Sequence, residues 1–392
     1  MEDRSKFNGL RVLLLDGYGR QIPSILQQLH ELGCCVTTVN DSKLDVGYCS
    51  RYPKYKIVVP GIKENRSLLE NFIKEEVTSG KYDVVFPMLE KATDILTENR
   101  DYYSQFSKII AAPREAFIQA YNKQETMQKC MEIGIPCPLT KRDSESLEEY
   151  LANVNFPLAL KLRKGTGSIG FLCVNDEQEL LELINTKRIN LEEYVLQEYI
   201  SGFQSLYSAY ILLDQNGTVK TAVSGETTRW FPVDGGPGCF LECKYNKDII
   251  DYSIKLLRKL NWVGFAHLSY IIDPLSGQPK LMEINGRIPA GIKVCSLVGA
   301  KPVLQLLELA YDDEVSDFSH CQNDGVCLRY FHTDILWLMK SKNRFHTNPA
   351  WFNFKKNHDY IFSWKDPLPF FGYGISHLLN LQSDMKKRNR KL

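Results

Sequence analysis

Along the first hundred positions, short apolar runs alternate with helically spaced apolar residues. Arg11–Asp16 (RVLLLD) predicts a buried strand, Ile22, Ile25, Leu26 and Leu29 predict a helix that Gly33 stops, and Cys35–Val39 predicts a second strand. The pattern repeats with Lys56–Val59, a helix over Ser67–Thr78, and Asp83–Pro87 (DVVFP). Strands without polar alternation, separated by amphipathic helices, predict a parallel, doubly wound sheet over residues 8–112. The first turn, Asp16-Gly17-Tyr18-Gly19-Arg20, lacks the third glycine of a dinucleotide fingerprint, and no acidic residue closes the second strand at the expected place. The turn therefore reads as one that approaches a substrate or starts a helix, in preference to an NAD site.

Farther on the pattern changes. A helix over Ile118–Ile133 is stopped by Gly134, Pro136 and Pro138. Strands follow at Phe156–Lys161, Phe171–Val174 and Glu193–Ile200, with an acidic helix starting at Asp176. Tyr207–Leu213 and Val219–Glu226, split by Asp214-Gln215-Asn216-Gly217, predict a hairpin. A helix over Lys247–Leu260 leads to strands Gly264–Ile272 and Lys280–Asn285. Short turns between neighbouring strands are an antiparallel signature, so this region reads as α+β. Beyond Val315 aromatics accumulate, and an ordered extension that packs back onto the body is expected.

Composition narrows the function. The chain has 392 residues, 44% hydrophobic and 24% charged, with a net charge of +1, so no global field or basic stripe argues for nucleic acid. The eleven cysteines include no Cys-x-x-Cys pair, which disfavours structural zinc, and they read as free thiols of a reducing cytoplasm. No signal-peptide core or membrane-length apolar run occurs, so no transmembrane segment and a cytoplasmic location are expected. The tail Met385–Leu392 (MKKRNRKL) is basic and reads first as a solvated end, second as a contact for an anionic membrane or partner.

Several stretches carry candidate chemistry. RKGTGSIG (Arg163–Gly170) is a glycine-rich loop flanked by Lys161, Arg163 and Lys164; its free N–H groups and cations suit phosphate oxygens, although it is not a Walker A loop. Alone it could equally be a hairpin tip. In LMEINGRIPAGI, Glu283, Asn285 and Arg287 alternate along a strand, either as its solvent face or as a carboxylate, an amide and a guanidinium aimed at one ligand. A carboxylate and an amide oxygen suit Mg²⁺ bridging nucleotide phosphates, and the arginine suits a phosphate.

YNKQETMQKCMEIGIPCP, FPLALKLRKGTGSIGFLCV, YVLQEYISG, WVGFAHLSYIID and LMEINGR occur in an order that resembles the ATP-grasp superfamily over about residues 8–315. The chain looks most like its carbamoyl-phosphate-synthase-like and carboxylate–amine (amino-acid) ligase branches. The resemblance implies an α/β pre-ATP-grasp domain with a parallel sheet (1–115), then a two-subdomain α+β ATP-grasp fold (116–315), with a lid subdomain at about 120–200 and a larger one at about 201–315. A C-terminal aromatic-rich extension with a basic tail (316–392) would follow. By the resemblance, Lys123 and Lys161 hold the α- and β-phosphates, and Gly165, Thr166, Gly167 and Ser168 belong to the lid loop. Gln197, Glu198, Tyr199 and Ile200 form the adenine hinge, Gln204 meets the ribose, Glu283 and Asn285 bind Mg²⁺, and Arg287 faces the γ-phosphate and acyl phosphate. Arg287 and Lys161 are thus the catalytic candidates. Arg229, Gly235 and Gly236 fall in the substrate-loop region, where Arg229 either forks a carboxylate or stacks on Trp230.

The implied enzyme is an ATP-dependent ligase of small-molecule carboxylates and amines, forming an acyl phosphate and releasing ADP and phosphate; the reading admits a homodimer. Two departures stand out. The acidic ribose ligand after the hinge glycine is replaced by Phe203-Gln204-Ser205, and Ser269 stands where a second metal carboxylate belongs, with His267 on its face. His267 reads as a general base or, more readily, a core histidine. The alternative function is an ATP-binding sensor or pseudo-enzyme with a weakened magnesium site.

Overall fold

The computed structural model describes residues 6–165, 170–203, 205–233, 236–353 and 357–388, with 380–388 described by their backbone alone. The N-terminal strands are β1 (Arg11–Leu14), β2 (Cys35–Asn40), β3 (Tyr55–Val58), β4 (Val84–Phe86) and β5 (Lys108–Ile109). They form a parallel sheet in the order β3-β2-β1-β4-β5. Its crossover helices are α1 (Ile22–Glu31), α2 (Val46–Cys49), α3 (Arg66–Thr78) and α4 (Glu90–Glu98). β1 and β4 are almost wholly buried, as continuous apolar strands covered on both faces must be.

The single helix expected over Ile118–Ile133 is broken in two, α5 (Arg114–Tyr121) and α6 (Lys123–Ile133). Asn122 causes the break: its backbone is extended and its side chain accepts a hydrogen bond from the Gln124 N–H, capping the second helix. Lys123 thereby becomes the first residue of α6. A three-stranded antiparallel sheet follows, β7-β6-β8, from β6 (Leu158–Leu162), β7 (Leu172–Val174) and β8 (Tyr194–Glu198), with α7 (Glu177–Asn185) on it.

The largest sheet runs β13-β12-β9-β10-β11-β14-β15. Its members are β9 (Leu206–Leu213), β10 (Val219–Trp230), β11 (Gly238–Cys243), β12 (Gly264–Ile272), β13 (Pro279–Asn285), β14 (Cys327–Arg329) and β15 (Asn357–Asp359). One face carries Tyr207, Ala209, Ile211, Leu268 and Tyr270 and packs under α5, α6 and α8 (Lys247–Lys259). The other carries Tyr210, Leu212, Val223 and Leu241, and its core runs without interruption into Val12, Leu14, Ile25 and Phe86 of the N-terminal domain. α9 (Pro302–Ala310) sits in that seam against α1 and β12. The extension adds β14 and β15 to the sheet edge, then α10 (Phe331–Lys340) and α11 (Leu368–Arg388), and α11 lies on α2.

β10 runs past Glu226 to Trp230, so the first part of the stretch expected as a substrate loop, Arg229 included, is strand. Arg229 within it is fully buried. Its guanidinium donates to both carboxylate oxygens of Asp334 on α10 at 2.8 and 3.2 Å and to the Pro349 carbonyl, and it lies 3.7 Å from the Phe240 ring centroid. Arg329 reaches the same carboxylate at 3.2 Å. Burial pushes the Asp334 carboxyl up in pKa while the two guanidinium groups hold it down. Removing the carboxylate from such a buried cluster strands its cations. Asp334→Ala is expected to lower unfolding free energy in urea by about 3–5 kcal/mol; a loss below about 1 kcal/mol would show that water reaches the two arginines.

Candidate functional site

The cap at Asn122 and the strand β6 bring Lys123 and Lys161 together. Lys123 N–H donates to the Arg163 carbonyl at 2.8 Å, fastening the start of α6 to the end of β6. Its ammonium donates to the Gly165 carbonyl at 2.6 Å and lies 3.9 Å from the Glu283 carboxylate. Lys161 is half-buried on β6, and burial pushes its ammonium down to about 8, with Glu283 opposing and Lys123 adding to the shift. Lys123, Lys161, Gly165 and Glu283 therefore share one cleft between the small and the large sheet. Thr166, Gly167 and Ser168, expected in the same loop, lie outside the described residues, as do Gln204 and Gly235.

At the hinge, Glu198 and Tyr199 N–H groups bond the Leu139 and Pro157 carbonyls. The Gln197 side chain is buried and donates to Thr140 Oγ1 at 2.8 Å, so it is turned into the protein. The Glu198 carboxylate accepts from Lys280 Nζ at 2.5 Å, while Tyr199 and Ile200 are partly exposed. Lys280 reaches this place because β13 bulges. His267, Leu268 and Ser269 pair with Asn285, Ile284 and Glu283, but Tyr270 pairs with Leu281, leaving Met282 as the extra residue. Strict alternation would have put Leu281 beside Glu283 and Lys280 in the core; the bulge reverses both.

Glu283 and Asn285 do share a face, and Ser269 stands directly across from Glu283. Asn285 Nδ2 is 3.3 Å from Glu283 Oε1 and 3.1 Å from His267 Nδ1, and Asn285 Oδ1 accepts from Arg287 at 3.5 Å. Burial, with Arg287 nearby, pushes His267 down to about 3, and its ring lies tilted at 5.0 Å from that of Tyr210. The ring is half-buried, on the face that also carries Ser269. Tyr210 in turn lies against Gly291, where an added Cβ would meet the hydroxyl at 2.1 Å, so RIPAGI needs glycine there.

A metal fit rests on these donors. No group of three or more His, Cys, Asp or Glu side chains is arranged around one point among the described residues. One carboxylate and one amide oxygen remain, which suits Mg²⁺ only as that ion is usually held, with several waters and the phosphates of a nucleotide.

Arg287 makes a contact that sequence reasoning missed. Its Nε donates to Glu90 Oε1 at 2.9 Å, joining the seven-stranded sheet to the N-terminal domain. Glu90 opens α4 just after β4, and side chains at the carboxyl ends of parallel strands are where open α/β sheets build sites, a signal that could have found it. Asp16, at the end of β1, positions this segment by accepting from Met88 and Leu89 N–H at 3.2 and 2.9 Å. Arg20, from the same turn, lies 4.5 Å from the Tyr330 ring centroid and 5.8 Å from that of Tyr360. Arg229 is not in the cleft, and Gly236 is a turn residue whose Cβ would come within 2.4 Å of the Phe231 backbone.

These residues lie where the small antiparallel sheet meets the larger one, beside the parallel-sheet domain. Residues 120–291 match the family model of the ATP-grasp domain. Among curated proteins it is similar to the arginine-specific carbamoyl phosphate synthase large chain of Geobacillus stearothermophilus, 22% identical over 242 residues, 59% of this chain and 20% of that one. It is 24% identical to D-aspartate ligase of Enterococcus faecium over 259 residues, 59% of this chain and 60% of that one. The chain thus spans a fifth to three fifths of these relatives' lengths. Among solved structures, biotin carboxylase from Campylobacter jejuni, in a β,γ-ATP complex, superposes with a TM-score of 0.66 at 16% identity over 81% of this chain and 74% of that one.

Burial pushes the Asp16 carboxyl up to about 6, against the bonds from Tyr18, Leu89 and Met88. The folded state then holds this proton more tightly than the unfolded chain does. Asp16's contribution to stability is therefore fullest below about pH 4 and is lost as pH rises to about 6, an effect of roughly 2–3 kcal/mol. Asp16→Asn is expected to flatten the stability profile between those values in urea titrations at stepped pH; an unchanged slope would assign the dependence to another group.

Proposed function

We propose that this chain is an ATP-dependent carboxylate–amine ligase. The observation that carries the reading is the meeting of Lys123, Lys161, Gly165 and Glu283 in one cleft of an ATP-grasp domain. D-aspartate ligase, by its name, performs chemistry of this class. In the proposal Lys123 and Lys161 neutralise the α- and β-phosphates, and the Gly165–Gly170 loop covers them, with Thr166, Gly167 and Ser168 offering backbone N–H groups. Glu198, Tyr199 and Ile200 present the hinge to adenine, and Gln204 meets the ribose. Mg²⁺, bound through Glu283, Asn285 and the phosphates, supplies charge neutralisation.

Arg287, held by Glu90, points the transferred phosphoryl group at the substrate. A carboxylate oxygen attacks the γ-phosphorus as the bond to the β-phosphate oxygen breaks, giving ADP and an acyl phosphate. The amine nitrogen then attacks the acyl carbon, phosphate leaves, and the nitrogen loses a proton. The protein's share is positioning and electrostatics. Arg20, in the N-terminal turn and with no carboxylate paired to it among the described residues, is a cation available to an anionic substrate group. His267 is outside this scheme.

The experiment is ADP release from the intact chain over a panel of carboxylates and amines. ADP formation is expected only when both partners are present, and Lys161→Met or Glu283→Gln should lower it by about 10²–10³-fold with an unchanged melting temperature. ATP binding without ADP from any pair would overturn the ligase reading. The second reading, an ATP-binding sensor, is favoured by one observation, Ser269 opposite Glu283. It expects ATP binding that survives magnesium removal, and gain of ATP hydrolysis in Ser269→Glu.

A further inference from the structure

α11 is amphipathic in the wrong sense for a helix that only packs on its own protein. Its inner side is well used. Ser50 Oγ donates to Asp366 at 2.5 Å and Arg51 N–H at 3.1 Å, pinning the entry to the helix against the N-terminal domain. Gly372 lies so close to α2 that a Cβ there would come within 2.4 Å of Cys49 Sγ and 3.0 Å of the Leu44 carbonyl. Phe370 and Tyr373 pack with His332 and Tyr330 in the extension's own aromatic cluster.

The outer side is apolar as well. Trp364, Leu368, Phe371, Ile375, Leu378 and Leu379 are between 51% and 89% exposed. Their spacing of three and four residues places the five on the helix in one stripe about 100° wide. Soluble helices put charges on that side, and contiguous exposed apolar patches mark a docking surface. In the sequence the stripe is followed by Lys386, Lys387, Arg388, Arg390 and Lys391, with no acidic residue among them. The chain's other charges sum to a slight negative excess, so this concentration is local.

We propose that the outer face of α11 is a membrane-surface anchor, which lays Trp364, Leu368, Phe371, Ile375 and Leu378 into the interface of an anionic lipid bilayer while the basic residues after Asp384 meet its headgroups. An apolar stripe with Trp and Phe on it, extended by Lys and Arg, is the composition of helices that lie in a lipid interface. The cations complement a negative surface, at roughly fivefold in affinity for each. A second copy packed in parallel would bring the two basic ends together, which disfavours self-pairing. No single helix among the described residues is long and apolar enough to cross a membrane, and the one bent pair that passes by composition, Ala290–Leu297 with Pro302–Ala310, is core. The anchor lies on the surface and does not span.

The test is co-sedimentation of the full chain with phosphatidylcholine vesicles and with phosphatidylcholine–phosphatidylserine vesicles at roughly 7:3. Binding is expected to the anionic vesicles, weak on the neutral ones, and weaker as salt rises. Phe371→Asp with Leu378→Asp should reduce it by at least about tenfold, and Lys386→Gln with Lys387→Gln and Arg388→Gln by a comparable or larger factor. Phe371 and Leu378 are exposed, and an unchanged melting temperature of each variant confirms the fold. Three results overturn the proposal: no binding to either vesicle, binding indifferent to both variants, or a dimer in light scattering that Phe371→Asp with Leu378→Asp dissociates, which assigns the stripe to a second copy.

Discussion

The seven-stranded sheet has two apolar faces, and covering the second one decides the rest of the molecule. α5, α6 and α8 cover the face of Ala209, Ile211 and Leu268 with residues close in sequence. The opposite face, with Tyr210, Leu212 and Leu241, is covered by the N-terminal domain and by α9, in one core that joins Ile25 and Phe86 to Val303 and Leu328. Burying that surface is worth on the order of 25 cal/mol for each Å² removed from water, so the docking is not easily undone. Its consequence is geometric. The carboxyl ends of β1 and β4 are brought to the end of β13, and Glu90 meets Arg287 because the cores on either side leave no other arrangement.

The same sheet explains the buried charges. β10 and β11 carry Arg229 and Phe240 toward the extension, and α10 supplies Asp334 and Trp337 to meet them. A buried ion pair recovers its desolvation cost only with good geometry, and here two carboxylate oxygens face two guanidinium groups with aromatic rings above and beside them. The arrangement specifies where the extension docks, since an apolar contact in its place would tolerate sliding. β14 and β15 then continue the sheet, and α11 is held on α2.

Much of the architecture was legible from periodicity. The alternation of apolar strands and helices gave the parallel sheet, and the Asn-Gly hairpin and its neighbours gave the antiparallel one, because both patterns are local. What was not legible depends on long-range partners. The strand expected to end at Glu226 runs on to Trp230, and Asp334, 105 residues away from Arg229, makes that arginine's position core. The bulge at Met282 is invisible in a run that alternates acceptably either way, and it is fixed by pairing with β12. Glu90 looks like any acidic first-turn residue until the fold brings Arg287 to it. Lys123 was legible as a candidate, but the helix break that presents it depends on the Asn122 cap, a signal that lay in the sequence unread.

The electrostatics of the cleft follow from what is paired and what is left over. Arg287 is matched by Glu90, and Lys280 by Glu198 and Asp273. Lys123 and Lys161 face one carboxylate, Glu283, so the lid side of the cleft carries a surplus positive charge. Proteins rarely half-bury such a surplus without use, because each ammonium loses hydration there. Burial lowers Lys161 to about 8, with Lys123 adding to the shift, and a group carrying several negative charges would oppose it. The second carboxylate that would have cancelled the surplus is the one Ser269 does not supply. In the proposed site the serine therefore offers no second carboxylate beside Glu283, and the positive surplus stays.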